Sequence, residues 1–141
     1  MAKRKQHKLI DGVECKWCSK CKQYLPLDEF SHSKASQDGL NFYCKQCDRE
    51  WHRQHNYGIS IEEYNALLKS QNGVCATCYQ SEKIEGKSLA VDHIHGSDPI
   101  IIRGLLCNRC NRILGYADDS VAVLSSIIEY LKRSELEEEH G

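Results

Sequence analysis

Four side chains suited to metal and proton chemistry lie in two neighbouring stretches of the sequence. Asp92, His93 and His95 form an Asp-His-x-His motif, and Asn111 directly follows Cys110. Carboxylate and amide oxygens suit Mg²⁺, which keeps its other positions for water and phosphate, and a histidine suits the role of general base. Hydrolysis of a phosphodiester needs such a base, together with a divalent cation that stabilises the phosphorane and the leaving oxygen. These residues are therefore a candidate site for metal-dependent phosphodiester hydrolysis.

The surrounding sequence predicts a hairpin and a helix that would hold this site. Residues 88–92 and 100–106 are predicted as two short strands, joined by a turn over residues 96–99. Residues 107–116 are predicted as the helix that follows. The Asp-His pair then ends the first strand, and Asn111 lies near the start of the helix.

Cysteine spacing predicts two metal sites that stabilise a small fold. Eight of the nine cysteines form four C-x-x-C pairs: Cys18/Cys21, Cys44/Cys47, Cys75/Cys78 and Cys107/Cys110. Paired thiols in two sets favour two tetrahedral Zn²⁺ ions over disulfides, free thiols or a thioredoxin-like redox site. Zinc held by four thiolates has no open position, so these ions would be structural and separate from the catalytic metal. Cys15 also forms a C-x-x-C pair with Cys18, which leaves the first ligand open, and we favour Cys18 with Cys21.

The charge is unevenly distributed along the chain, although the formal net charge is only −1. Residues 1–56 carry 11 Lys and Arg against 7 Asp and Glu, whereas residues 57–141 carry 8 against 13. The basic start, which includes Lys3, Arg4 and Lys5, is equally consistent with a solvated tail and with a segment that contacts DNA phosphates. We expect no membrane span and no secretion signal, and therefore a cytoplasmic protein.

Helix signals are found outside the candidate site as well. Residues 44–56 are polar and free of helix breakers, and Ser60-x-x-Glu63 is a capping box for a helix that Gly73 ends. Asp118 or Asp119 is expected to cap a last amphipathic helix. Its apolar residues are expected to point inward: Val121, Leu124, Ile127, Ile128 and Leu131.

Residues 57–119 resemble the phage recombination endonuclease VII family in both motifs and order of elements. The matching segments are YGISIEEYNALLKSQNGVCATC, LAVDHIHG and IRGLLCNRCNRILGYADD. The resemblance implies a His-Me finger, or ββα-metal core, on a four-cysteine zinc site. It implies that Asp92 and Asn111 bind the catalytic Mg²⁺ or Mn²⁺ and that His93 is the general base. His95 would be an auxiliary group near the scissile phosphate, and Arg103 a phosphate contact.

The predicted fold is a small α+β, zinc-stabilised fold with this ββα-metal core, preceded by a second four-cysteine zinc module. We expect a basic tail (1–14), an N-terminal zinc module (15–56), an endonuclease VII-like domain (57–134) and an acidic tail (135–141). The predicted function is a DNA endonuclease, encoded by a phage or prophage, that acts on duplex or branched DNA as a monomer or a dimer. Two alternatives are a non-catalytic zinc module that binds DNA or protein, and a ubiquitin-ligase type of zinc domain with interleaved ligand pairs.

Overall fold

The computed structural model describes residues 7–81 and 88–138. The chain divides into two units, Met1–Glu63 and Tyr64–Gly141. The predicted domain limits stay predictions. None of the described helices combines the length and the apolar character that a membrane span requires.

The described part of the first unit begins with a hairpin, where the sequence predicted a loose tail. Three antiparallel strands form a sheet in the order β1-β2-β3: β1 His7–Ile10, β2 Val13–Cys18 and β3 Gln23–Pro26. Asp11 and Gly12 connect the first two strands with positive φ angles of 49° and 79°, the conformation of a tight hairpin turn. The tail prediction is therefore wrong for residues 7–14, and residues 1–6 lie outside the described part.

A second ribbon and a helix complete this unit. They are β4 Phe30–His32, β5 Leu40–Cys44 and α1 Lys45–Tyr57. The helix confirms the prediction for residues 44–56, and Gly58 ends it in the left-handed conformation. Cysteines and a few apolar side chains form the buried core: Cys18, Phe30, Leu40, Cys44 and Cys47. A core this small depends on additional fixation, which a metal at the cysteines would supply.

The helix α2, Ile61–Ser70, starts at the predicted capping box. The Ser60 N–H donates to Glu63 Oε2 at 2.8 Å, and the Glu63 N–H donates to Ser60 Oγ at 3.1 Å. At the other end Gly73 has a φ of 71°, and its N–H donates to the Leu68 carbonyl at 2.9 Å. Both predicted ends of this helix are confirmed.

A hairpin and a helix follow in the second unit, as predicted. They are β6 Ala90–His93, β7 Ile102–Leu106 and α3 Asn108–Tyr116, and α3 packs against both strands. The buried apolar side chains of this unit come mainly from the hairpin and α2: Tyr64, Leu89, Val91, Leu105 and Leu106. The Tyr64 hydroxyl donates to the Leu89 carbonyl at 2.8 Å, which fixes the entry to β6.

The last helix, α4 Val121–Glu138, differs from its prediction in two respects. Ser120 caps it, since Ser120 Oγ accepts the Val123 N–H at 3.3 Å, whereas Asp118 and Asp119 precede the cap. The apolar side chains predicted to point inward are largely exposed: Val121 77%, Ile127 50%, Ile128 52% and Leu131 56%, with Leu124 half-buried. Periodicity identified the apolar face, but it did not reveal whether the chain supplies a partner for it. Part of the expected acidic tail is helical through Glu138.

Candidate active site

Eight cysteines form two groups in which the sulfur atoms converge. In each group all four Sγ atoms lie within 4.8 Å of one another: Cys18, Cys21, Cys44 and Cys47 in one, and Cys75, Cys78, Cys107 and Cys110 in the other. The pairs combine in sequential order, as predicted, and are not interleaved. Cys15 is buried but belongs to neither of these groups, and its thiol donates to the Val13 carbonyl at 3.6 Å.

The two cysteine groups share one backbone plan. The first pair of each is a turn followed by a left-handed residue, Lys22 (φ 58°) or Tyr79 (φ 59°). The N–H of that residue donates to the carbonyl of the first cysteine, at 3.0 and 3.1 Å respectively. The second pair starts a helix after a hairpin, with Cys44 (φ −64°, ψ 160°) and Cys107 (φ −66°, ψ 158°) as the preceding residues. Each unit therefore contains a turn, a hairpin and a helix arranged around four sulfurs.

The candidate catalytic set is found in the second of these two units. There the first strand of the hairpin ends in Asp92 and His93, whereas β4 ends in His32 without an acidic neighbour. The helix residue after the fourth cysteine is Asn111 in the second unit and Asp48 in the first. The local backbone at the two cysteine groups is therefore alike, whereas the Asp-His pair and the asparagine are found in the second unit.

Backbone N–H groups stabilise one thiolate in each cysteine group. Burial opposes ionisation, but N–H donors, that of Cys44 first, lower the pKa of Cys18 to about 6. The N–H of Cys78 is the first of the donors that lower the pKa of Cys75 to about 6 in the same way. Burial, together with the neighbouring sulfurs, raises the pKa of Cys110 to about 12. Without a cation the four thiols of a group cannot all ionise, and such a set suits a divalent soft metal such as Zn²⁺.

The Asp-His pair lies at an irregularity of the hairpin. Asp92 is paired with Gly104 across β6 and β7, whereas His93 is paired with Ile102, so the register shifts between them. Consecutive residues of a regular strand face opposite sides, and a bulge relaxes this constraint. Asp92 is buried, with 8% of its surface exposed, and His93 is half-buried.

Arg103 on β7 joins two carboxylates. Its Nε and Nη2 atoms donate to Oδ2 and Oδ1 of Asp92, each at 2.8 Å, and Nη2 also donates to Asp119 Oδ1 at 3.1 Å. Hydrogen bonds to Asp92 first, and to Asp119 second, raise the pKa of Arg103. The arginine was expected at a phosphate, and in the structure its fork holds the buried carboxylate of the candidate site. The phosphate contact itself stays a prediction.

Two further predicted residues lie nearby. The ring centroids of His93 and His95 are 4.8 Å apart at an angle of 45°, and His95 is exposed. Asn111 is half-buried on the first turn of α3, where its N–H donates to the Cys107 carbonyl at 3.0 Å. The structure thus brings the Asp-His pair, His95 and Arg103 together and places Asn111 on the helix packed against their hairpin.

Asp119 is a residue of this cluster that the sequence did not predict there. The sequence predicted only a helix-capping role for Asp119. Two consecutive acidic residues after a predicted helix are the one sequence feature that could have indicated a further role. Both Asp118 and Asp119 have positive φ angles, 50° and 54°. Lys3, Arg4 and Lys5, the predicted DNA contacts of the N-terminus, lie outside the described residues.

Comparisons with known proteins find similar sequences over most of this chain. The sequence profile of recombination endonuclease VII matches residues 49–133. The Gene 59 proteins of Mycobacterium phages D29 and L5 are 34% identical over 136 residues and 32% identical over 134. These alignments cover 92% and 91% of this chain and 79% of each relative.

Two further similarities are shorter or weaker than these. A protein of the SPbeta prophage of Bacillus subtilis (strain 168), named for the HNH endonucleases, is 47% identical over 45 residues, 30% of this chain and 20% of the relative. The ββα-Me type II restriction endonuclease Hpy99I is 25% identical, with a TM-score of 0.34 over 92% of this chain and 69% of that one.

A hairpin that ends in Asp-His, followed by a helix on a four-cysteine group, is the ββα-metal arrangement of nucleases. The profile match and the two phage relatives define the group more closely: the chain belongs to the recombination endonuclease VII family.

Proposed function

We propose that the chain is a DNA endonuclease that hydrolyses phosphodiester bonds with a histidine-activated water and Mg²⁺ or Mn²⁺. The observation that carries this proposal is the position of Asp92 and His93 at the end of β6, against the helix that presents Asn111. This arrangement, together with membership in an endonuclease family, supports hydrolysis over a purely binding role.

The donor atoms fit a hard divalent cation. Asp92 and Asn111 offer carboxylate and amide oxygens, the donors that Mg²⁺ prefers. A carboxylate has about four lone-pair sites, and the bidentate contact from Arg103 takes two of them, so Asp92 can still accept a cation. When bound, the metal would stabilise the charge that develops on the phosphate and on the leaving oxygen.

The side chains of the cluster then have separate roles. His93 takes the proton of the attacking water on an imidazole nitrogen, and His95, exposed beside it, lies near the scissile phosphate. Arg103 fixes the Asp92 carboxylate through Nε and Nη2, which leaves its Nη1 group for a phosphate oxygen.

Two structural Zn²⁺ ions, one in each cysteine group, would fix the two units without taking part in the chemistry. The basic residues Lys3, Arg4 and Lys5 would add phosphate contacts from the N-terminus. The phage relatives favour a protein encoded by a phage or prophage that acts in the cytoplasm of its bacterial host.

Cleavage of two substrates tests this function. Zinc-loaded wild type is incubated with supercoiled plasmid or a four-way junction in Mg²⁺, beside His93→Ala. His32→Ala, an exposed histidine on β4, is the matched control. We expect wild type and His32→Ala to cut, and His93→Ala to be slower by about 10²-fold or more, the scale of a lost general base.

The preferred substrate distinguishes a nickase or double-strand endonuclease from an enzyme of branched DNA. If zinc-loaded wild type cuts neither substrate in Mg²⁺ or Mn²⁺, the chain is a binding module and the proposed function is wrong.

A further inference from the structure

Asp119 lies between two members of the catalytic cluster, and the roles proposed above do not use it. Its Oδ1 accepts Nη2 of Arg103 at 3.1 Å, and its Oδ2 lies 3.6 Å from Nε2 of His95. The Asp119 side chain is 19% exposed, so it lies within the cluster and not on the open surface.

The backbone holds Asp119 in this place. The Asp119 N–H donates to the Leu114 carbonyl at 2.9 Å, which closes the end of α3. Its φ of 54° is in the left-handed region, where helices usually end in glycine or asparagine. An aspartate at such a position retains a carboxylate at a small conformational cost, and strain of this kind is frequent at functional sites. The helix that carries Asn111 on its first turn therefore carries Asp119 just beyond its last.

On the basis of the proposed function, we propose that Asp119 is a positioning residue that holds Arg103 between two carboxylates and so keeps Asp92 available to the catalytic cation. Without Asp119, Asp92 would be the one carboxylate that the Arg103 guanidinium contacts among the described residues. A bidentate arginine partly neutralises the very oxygen atoms that a divalent cation needs. By sharing Arg103, Asp119 weakens this competition.

The charges of the cluster support the same role. Asp92, Asp119 and Arg103 together carry one net negative charge, which favours a divalent cation. Without Asp119 the remaining pair is neutral. Loss of a residue that supports a metal ligand typically weakens metal binding or activity by about 10- to 100-fold. Because Asp119 acts through Arg103, we expect the lower end, about tenfold.

The test compares Asp119→Ala and Asp119→Asn with Asp118→Ala in zinc-loaded protein. Asp118 is an exposed neighbour with the same left-handed backbone (φ 50°), so it controls for strain in the turn. Mn²⁺ affinity is measured by electron paramagnetic resonance without DNA, and the half-saturating Mg²⁺ concentration is measured in cleavage. Asp119→Ala should raise the Mn²⁺ dissociation constant and the half-saturating Mg²⁺ concentration about tenfold each. The kcat at saturating Mg²⁺ should fall by a smaller factor than these two constants rise. Asp119→Asn retains an acceptor for Arg103, so its metal constants should lie between those of wild type and Asp119→Ala. The metal constants of Asp118→Ala should match those of wild type.

The outcomes separate this inference from the function on which it rests. If wild type cuts DNA but Asp119→Ala has wild-type metal constants, the positioning role is wrong and the endonuclease stands. Equal weakening by Asp118→Ala would also overturn it, because the effect would then come from the turn. If wild type does not cut, the proposed function is wrong, and Mn²⁺ affinity alone decides whether Asp119 tunes the cation site.

Discussion

Gln71 ties the outer edge of β7 to the segment that precedes the first cysteine pair of the second unit. Its Nε2 donates to the carbonyls of Val74 and Leu105, both at 2.9 Å, and its Oε1 accepts the Leu105 N–H at 2.9 Å. Leu105 is fully buried, with 0% exposure, so water cannot replace these bonds without a local opening. Together with the Ala76 N–H, which donates to the Leu105 carbonyl at 3.0 Å, the side chain takes the place of a neighbouring strand along this part of β7.

The substitution Gln71→Ala removes all three hydrogen bonds and leaves the Leu105 N–H without a partner. A typical bond contributes about 0.5–1.5 kcal/mol net, and a stranded buried donor costs about 1–3 kcal/mol. Together we expect the free energy of opening at Leu105 to fall by about 2–4 kcal/mol. At about 1.4 kcal/mol per factor of ten, its amide should exchange about 30- to 700-fold faster.

Hydrogen exchange by NMR on zinc-loaded protein measures this residue directly and requires no two-state unfolding. Gln54→Ala, an exposed glutamine on α1, is the control and should change exchange at Leu105 by less than about threefold. Leu105 protection that stays within threefold of wild type in Gln71→Ala, with zinc retained, would refute the reasoning.

Three further predictions concern the first unit. Cys15→Ser should retain two Zn²⁺ per chain by atomic emission, because Cys15 lies outside both cysteine groups; loss of one zinc would refute this. Lys16 is buried, and its Nζ lies 2.6 Å from Asp38 Oδ2. Lys16→Met leaves the Asp38 charge without this partner, so the free energy of unfolding in denaturant should fall by about 3 kcal/mol. Adding Asp38→Asn should restore part of that loss, and a double variant no better than the single one would contradict it. The hydrogen bond to Glu14 first, and that to Asp38 second, raise the pKa of His7 above its ordinary 6.5. The stability that His7 adds relative to His7→Gln should therefore be complete below pH 6.5 and decline as the pH rises through the folded pKa; a pH-independent difference in thermal unfolding would show otherwise.

Local signals predicted the elements that lie close to them in the chain. The capping box at Ser60 and Glu63 forms both of its hydrogen bonds, because the pattern encodes them within four residues. The C-x-x-C spacing predicted that the two sulfurs of each pair lie together, since one turn can present both. The pairs then combine in chain order into the two predicted groups. The hairpin and helix around Asp92 and Asn111 followed from the same kind of local evidence.

Features that depend on contacts between distant residues were not predictable in this way. The Arg103–Asp92 pair depends on the register of β6 and β7, and no pattern in the sequence marks the shift beside Asp92. Asp119 contacts Arg103 because the end of α3 lies close to β7, and this proximity depends on how the helix packs on the hairpin. The strands within residues 7–14 are a different case, because Asp11-Gly12 was a visible turn signal that basic composition obscured.

The most direct measurement is the single-turnover cleavage rate of plasmid DNA by zinc-loaded protein, with Mg²⁺ present or omitted, for wild type and for His93→Ala with and without added imidazole. We predict Mg²⁺-dependent cleavage by wild type, a loss of about 10²-fold or more in His93→Ala, and partial recovery of that variant when imidazole is supplied. Cleavage that persists unchanged in His93→Ala, or that does not depend on a divalent cation, would contradict the assignment of this site.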